Sequence, residues 1–224
     1  MSQTSFRYSG KLFLIPTTLG ESNPIEVLPY SVRKLMEEID HYIVENEKTA
    51  RRSIKLVVQG KNQKNLNLSV LNKFTEAQSL ASFLDPCKEG LDVGLLSEAG
   101  CPGIADPGAE IVKLAHEMGI RVIPIVGPSS ILLAMMGSGM NGQSFTFHGY
   151  LPIDKKERKQ ELKVLERNSL EKNQAQIFIE TPYRNNQLLE DLVQTLHPST
   201  RLCVACDLTL TTEYIVTKTA ADWS

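Results

Sequence analysis

The residues best placed to do chemistry lie in one stretch, Ser97-Glu-Ala-Gly-Cys-Pro-Gly-Ile-Ala-Asp-Pro-Gly108. Ala99, Gly100, Cys101, Pro102 and Gly103 break regular structure just after the apolar run Val93 to Ser97, so the loop sits at the carboxyl end of a strand. Open α/β sheets hold their ligands at that edge. A second feature is charge. Lys48, Arg51 and Lys55 recur every three to four residues, with Arg52 beside them, and such spacing gives one helix face suited to phosphate. Lys155, Lys156, Arg158, Lys159 and Lys163 form a second basic cluster, although Glu157, Glu161 and Glu166 make an ordinary solvated helix face an equal reading. Cys203-Val-Ala-Cys206 has suggestive spacing, yet in a strand residues three apart point to opposite faces, and no second Cys/His pair completes a zinc set. No metal site is expected. His41, His116, His148 and His197 are scattered and read as structural or solvated.

The elements that must position these residues alternate from the start. Leu12 to Ile15 reads as a strand, Tyr30 to Asp40 as a helix, Tyr42 to Val44 as a strand, and Glu47 to Arg52 as a helix. Leu66, Leu68 and Val70 alternate with polar residues, and Thr75-Glu-Ala-Gln78 predicts a capping box opening a helix toward Lys88. After the Gly-rich loop, Asp106 can cap a helix whose first residue is Pro107 and whose stop is Gly119, with Ile111, Leu114, Ala115 and Met118 as its apolar stripe and Lys113 and Glu117 toward water. Arg121 to Val126 follows as an apolar strand expected to be covered on both faces, completing a sheet of about five strands, and ends in Gly127-Pro128. The pattern then restarts: helix 130–137, strand 144–148, helix 155–168, strand 176–180, helix 185–196, strand 202–207 and a return strand 212–217. Two α/β domains are expected, residues 1–126 and 127–224.

Composition excludes little. With 42% hydrophobic and 22% charged residues and a formal charge of −2, the 224-residue chain has no global attraction to nucleic acid, so any RNA contact must come from local patches. The N-terminal residues lack the apolar core of a signal peptide, and no segment approaches the roughly 20 apolar residues of a membrane span. A cytoplasmic protein is expected.

Five segments in fixed order carry a resemblance: Ile15-Pro-Thr-Thr-Leu-Gly20, Ser97 to Gly108, Gly127-Pro-Ser-Ser130, Phe178-Ile-Glu-Thr-Pro-Tyr-Arg184 and Asp207-Leu-Thr209. Through them the chain resembles the tetrapyrrole (corrin/porphyrin) methylases, and among these the branch that methylates a ribose 2′-oxygen of a cytidine in small-subunit ribosomal RNA. The resemblance implies an α/β fold of two αβα domains with a methyl-donor cleft between them, S-adenosyl-L-methionine as donor, ribosomal RNA or the small ribosomal subunit as partner, and a homodimer. It implies donor contacts at Pro16, Ser97, Ala99, Gly100, Cys101, Ile104, Ser129, Ser130, Thr181, Ala205 and Leu208. It also implies at least one strand beyond Trp223.

The acceptor side departs from the pattern. Gly100-Cys101-Pro102 is closer to the Gly-Thr-Pro of the RNA branch than to the Gly-Asp-Pro of the vitamin B12 branch. Glu98 stands where the RNA branch has Asp, Glu45-Asn46-Glu47-Lys48 where it has Glu-Asp-Thr-Arg, and Pro182-Tyr183-Arg184 where it has Pro-His-Arg. Methyl transfer from a sulfonium is an in-line displacement that rests on holding the acceptor oxygen about 3 Å from the methyl group. A carboxylate that takes the ribose proton helps, with Glu45 the first candidate and Glu98 the second. A solvated acid at a helix start is the bland reading of Glu45. Lys48, Arg51, Arg52 and Arg184 are the expected substrate contacts. A corrin or other tetrapyrrole acceptor, and a non-catalytic protein that binds the donor or its product, are the alternatives.

Overall fold

A computed structural model describes residues 6–72 and 74–224, so the very start of the chain read above for a signal peptide lies outside the described residues. The chain divides into two compact units, Met1–Ser129 and Ser130–Ser224. The division falls after Ser129 rather than after Val126, which leaves the Gly127–Ser129 turn with the first unit.

In the first unit the elements run β1 (Lys11–Ile15), α1 (Pro24–Val27), α2 (Tyr30–Glu38), β2 (His41–Val44), α3 (Glu47–Val57), β3 (Asn67–Val70), a 3-10 segment (Ala77–Leu84), α4 (Asp85–Lys88), β4 (Val93–Leu96), α5 (Gly108–Glu117) and β5 (Arg121–Pro124). The five strands are parallel in the order β3-β2-β4-β1-β5. Successive side chains of a strand alternate between faces, and here both faces are apolar. Phe13, Ile15, Tyr42 and Val44 pack with Val32, Met36 and Ile54 from α2 and α3, whereas Leu12, Ile43, Val93 and Leu95 pack with Leu84, Ile111 and Ala115 on the other side. Gly94 in the central strand is a packing requirement, since a Cβ there would lie 2.8 Å from both Ile15 Cδ1 and Tyr42 Cδ1.

Several local readings shift. Thr75 does not cap a helix: its hydroxyl donates to the Val70 carbonyl and accepts from the Asn72 amide, and the following 3-10 segment starts after Glu76 without a side-chain cap. Local closure of the turn after β3 takes the hydroxyl that the capping box required. Helix α5 begins at Gly108 rather than at Pro107, with the Asp106 carboxylate accepting from the Gly108 amide at 2.8 Å. Its end matches the sequence signal, with Gly119 at φ 74°. Helix α3 continues to Val57, five residues past Arg52, because Ala50 and Ile54 give it a buried face. Strand β5 stops at Pro124 and lies at the sheet edge, yet Ile123 packs against the core on one face and Val122 against the core on the other, as its apolar composition predicts.

The second unit comprises α6 (Ser130–Ser138), β6 (Phe145–Tyr150), α7 (Lys155–Lys172), β7 (Ala175–Ile179), α8 (Asn185–Thr195), β8 (Arg201–Cys206), β9 (Tyr214–Thr219) and a 3-10 turn at Ala221–Trp223. β6 and β7 pair in parallel, β8 and β9 antiparallel. Leu151, Leu162, Leu165, Leu188, Leu192 and Leu202 form its core. Asp154 caps α7 by accepting from Lys156 N and Glu157 N, and Asn173 ends it in the left-handed region at φ 48°. Among the described residues no helix is long and apolar enough to cross a membrane.

Candidate active site

Strand register builds the site. Ile15 pairs with Leu96, and Val44 pairs with Leu96 from the other side, so Pro16, Glu45 and Ser97 leave the sheet at one level. Parallel strands deliver all these carboxyl ends to the same edge. The loop after β4 is then tied to both neighbours. Thr17 N donates to the Gly100 carbonyl at 2.9 Å, and its hydroxyl donates to the Ser97 carbonyl at 3.2 Å. Ser97, itself buried, reaches the Ala99 and Gly100 carbonyls at 3.2 and 3.1 Å. Asp106 closes the loop from within by accepting from Gly103 N at 2.8 Å. Gly100 and Gly103 hold φ of 71° and 80°, the left-handed region where a side chain is strained. Ala99 and Ile104 are left exposed, and a Cβ built on Gly103 would meet nothing within 4 Å.

The Gly127 turn completes this edge. Pro16 fits against Gly127 so closely that a Cβ there would lie 2.3 Å from Pro16 Cβ and Cγ. The Cys101 thiol reaches the Pro128 carbonyl at 3.3 Å, and burial pushes this thiol above its ordinary value, which keeps it neutral. Pro16, Ser97, Ala99, Gly100, Cys101 and Ile104 are thus gathered at one edge of the first unit, with Ser129 at its last position and Ser130 opening α6.

The two candidate acids are joined through the backbone of one of them. Glu45 Oε1 accepts from the Glu98 backbone N–H at 3.3 Å, and Glu98 Oε1 accepts from the Thr49 hydroxyl at 2.6 Å. Glu45 is half-buried and is not the solvated acid of the bland reading. Burial raises its carboxyl above the ordinary value, the hydrogen bond from Glu98 N pulls it back, and the charges of Asp106 and Glu98 raise it further. Asn46, which replaces the Asp of the RNA branch, caps α3 by accepting from Lys48 N and Thr49 N at 2.9 and 3.2 Å, a task that Asn and Asp perform equally.

The basic residues separate by role. Lys48 is exposed and, among the described residues, its ammonium has no ion-pair partner. Arg52 meets Glu21 at 2.8 Å on the open surface. Arg51 is committed: it holds Glu47 at 2.8 Å and donates through Nη1 to the Gln63 carbonyl at 2.6 Å, clamping the loop that follows α3. In the second cluster Arg158 is buried and donates to the single oxygen Oδ2 of Asp191 through Nε at 3.0 Å and Nη2 at 2.5 Å, so this cluster is in part a core ion pair.

In the second unit Glu180 gathers its neighbours, accepting from Thr181 N at 2.7 Å and from Arg184 Nε at 2.9 Å. Arg184 is therefore paired, and the adjacent Tyr183 is 98% exposed. Ala205 lies in β8 and Leu208 is buried in the turn behind it, flanked by Asp207 and Thr209 at φ 52° and 72°. Cys203 and Cys206 are free thiols. Residue types and spacing alone missed Thr17, Thr49 and Glu180 as organisers. Only the family segments that contain Thr17 and Glu180 marked their neighbourhood, and nothing marked Thr49.

The fold matches that of a solved methyltransferase, CobJ, with a TM-score of 0.63 and 17% identity over 95% of this chain and 87% of that one. At the sequence level the model of the Tetrapyrrole (Corrin/Porphyrin) Methylases covers residues 27–223, and the chain belongs to that family. Its relatives include the ribosomal RNA small subunit methyltransferase I of Escherichia coli O157:H7, 30% identical over 95% of this chain and 70% of the relative. The protein of the same name from Vibrio cholerae is 30% identical over 91% of this chain and 67% of its own length.

Proposed function

We propose that the chain is an S-adenosylmethionine-dependent methyltransferase that modifies a ribose 2′-hydroxyl of small-subunit ribosomal RNA. Relatives named for small-subunit ribosomal RNA support the substrate class. The observation that carries the chemistry is the pair of carboxylates at the ligand edge, Glu98 exposed and Glu45 braced behind it on the Glu98 amide. S-adenosylmethionine supplies a methyl group on a sulfonium, already activated for displacement. The backbone around Gly103, open where a side chain would stand, and the exposed Ala99 and Ile104 fit a donor that approaches the main chain closely. Thr181, Ala205 and Leu208 of the second unit are the corresponding contacts in this reading.

A ribose hydroxyl is a poor nucleophile, so the chain's own task is to take its proton and to hold it in line. We assign proton removal to Glu98, because each carboxylate has one oxygen engaged but Glu98 is exposed at the ligand edge, whereas Glu45 is half-buried and braces the Glu98 backbone. In this reading Lys48 and Arg52, exposed on the first turns of α3, meet RNA phosphates. The same reading makes the protein a cytoplasmic homodimer, with exposed Met136 on α6 offering apolar surface for a partner. Sedimentation of the purified protein tests that part.

Transfer of labelled methyl groups from S-adenosylmethionine to small ribosomal subunits from cells lacking this protein tests the activity, with calorimetric binding of S-adenosylhomocysteine as control. Label on a ribose is the expected result. Donor-product binding without label in RNA, or label on a tetrapyrrole instead, overturns the substrate.

A further inference from the structure

We infer that Thr49 is a positioning residue for the methyl acceptor's proton: it fixes the Glu98 carboxylate through Oε1 so that Oε2 faces the acceptor. The inference rests on the assignment of Glu98 above. Glu98 belongs to a loop of small residues, and a loop carboxylate left to itself samples several rotamers. Here it is held at two points from different elements: its N–H by Glu45 and its Oε1 by Thr49 at 2.6 Å.

Thr49 is suited to this task for reasons unconnected with folding of the helix. Its hydroxyl has one proton and two acceptors in reach, the Asn46 carbonyl at 3.1 Å and Glu98 Oε1 at 2.6 Å. The shorter contact is also to a carboxylate, and a hydrogen bond to an ionised acceptor is the stronger one, so the proton goes to Glu98. A β-branched side chain in a helix has few rotamers, which presets the hydroxyl. Helix α3 is in turn rooted by Ile54, fully buried, and by Ala50. A rigid element therefore holds a reactive group that sits on a loop, which is how precise sites are built. Thr49 and Glu98 line a small hollow with Thr17, Ser53 and Ser97 on its polar side and Ala50 and Leu96 on its apolar side.

In the reaction the ribose O–H proton passes to Glu98 Oε2, the oxygen's electron pair forms the bond to the methyl carbon, and the carbon–sulfur pair remains on sulfur. Thr49 keeps Oε1 occupied throughout, so the proton is received on the oxygen that faces the acceptor.

The test compares Thr49→Val, Thr49→Ser, Glu98→Gln and the Thr49→Val/Glu98→Gln double variant in labelled methyl transfer to small ribosomal subunits, with S-adenosylhomocysteine affinity as the measure of an intact fold. Thr49→Val, which keeps volume and loses the donor, is expected to lower kcat about tenfold while KM for the subunit stays within about twofold. Thr49→Ser restores the rate. In the Glu98→Gln background the Val substitution adds nothing, because the group it positions is gone. An unchanged kcat in Thr49→Val beside an inactive Glu98→Gln overturns the inference and leaves the Glu98 assignment standing. A tenfold loss that persists in the Glu98→Gln background overturns it too, and full activity of Glu98→Gln overturns the assignment itself.

Discussion

Gly127 lacks a side chain because Pro16 occupies the space one would need, with Pro16 Cβ and Cγ 2.3 Å from the ideal Cβ position. Neither partner can swing away, since one is a proline ring and the other a backbone atom. Gly127→Ala must therefore shift the turn that holds the Pro128 carbonyl against Cys101, and overpacking of this kind costs roughly 1–3 kcal/mol. Thermal unfolding should show the loss, and S-adenosylhomocysteine affinity should fall with it if the turn borders the donor. Asn46 makes a different residue-scale case. Its side chain caps α3 on two amides, so Asn46→Asp should be neutral in urea unfolding, whereas Asn46→Ala should cost about 1 kcal/mol. A large loss in Asn46→Asp would mean that its NH2 group has a role that the cap does not explain.

Helix α3 carries its charges for two purposes, and the element rather than the residue shows which is which. Arg51 is spent on Glu47 and on the Gln63 carbonyl, so Arg51→Ala should loosen the loop after α3. Lys48 and Arg52 are exposed, and the Arg52–Glu21 pair, open to solvent, is weak enough to exchange for a phosphate. Replacing both with Ala should weaken RNA binding and lower the slope of log K against log salt by about one to two, with donor affinity unchanged. An unaltered slope would remove this face from the interface. Between α7 and α8 the logic is inverted, since Arg158 and Asp191 are both buried and each depends on the other. Asp191→Ala leaves a buried guanidinium uncompensated and should cost roughly 3–5 kcal/mol. Burial alone would raise the Asp191 carboxyl, but hydrogen bonds from Arg158 and the charges of Arg158, Lys155 and Lys159 hold it below its ordinary 3.8. A depressed folded value means that the stabilisation is complete above about pH 4 and is lost as pH falls through that lower value. Acid unfolding of the wild type should show this loss, and that of Asp191→Asn should not.

For the molecule as a whole, binding of the donor product to the folded chain must raise its stability by mass action. At a concentration 100 times Kd, S-adenosylhomocysteine should add about 2.7 kcal/mol, read as a higher thermal midpoint that depends on ligand concentration. No change in the midpoint would remove the donor site from either unit. The order of the elements was legible in advance because its signals are local. Gly119 and Asp106 punctuate α5, the apolar runs mark β1, β2 and β4, and helical spacing marks α5. Boundaries slipped where a competing local turn took a group that a cap required, as when Val70 and Asn72 claimed the Thr75 hydroxyl. Strand β5 shows where composition suffices: although it lies at the sheet edge, Val122 and Ile123 reach the two opposite cores.

By itself the sequence determined a parallel α/β chain with a glycine-rich loop at a strand end, two halves, and the family segments in their order, because chain punctuation and periodicity act over a few residues. It also contained Glu45 and Glu98 as separate candidates. That they touch, that Thr49 holds one of them, that Thr17 pins the loop and that Arg158 is buried on Asp191 were decided by tertiary structure alone. The Glu45–Glu98, Thr49–Glu98 and Thr17–Ser97 contacts span 53, 49 and 80 residues. Their geometry comes from strand register in a parallel sheet, where each crossover brings distant residues to one edge, and no local spacing encodes that register.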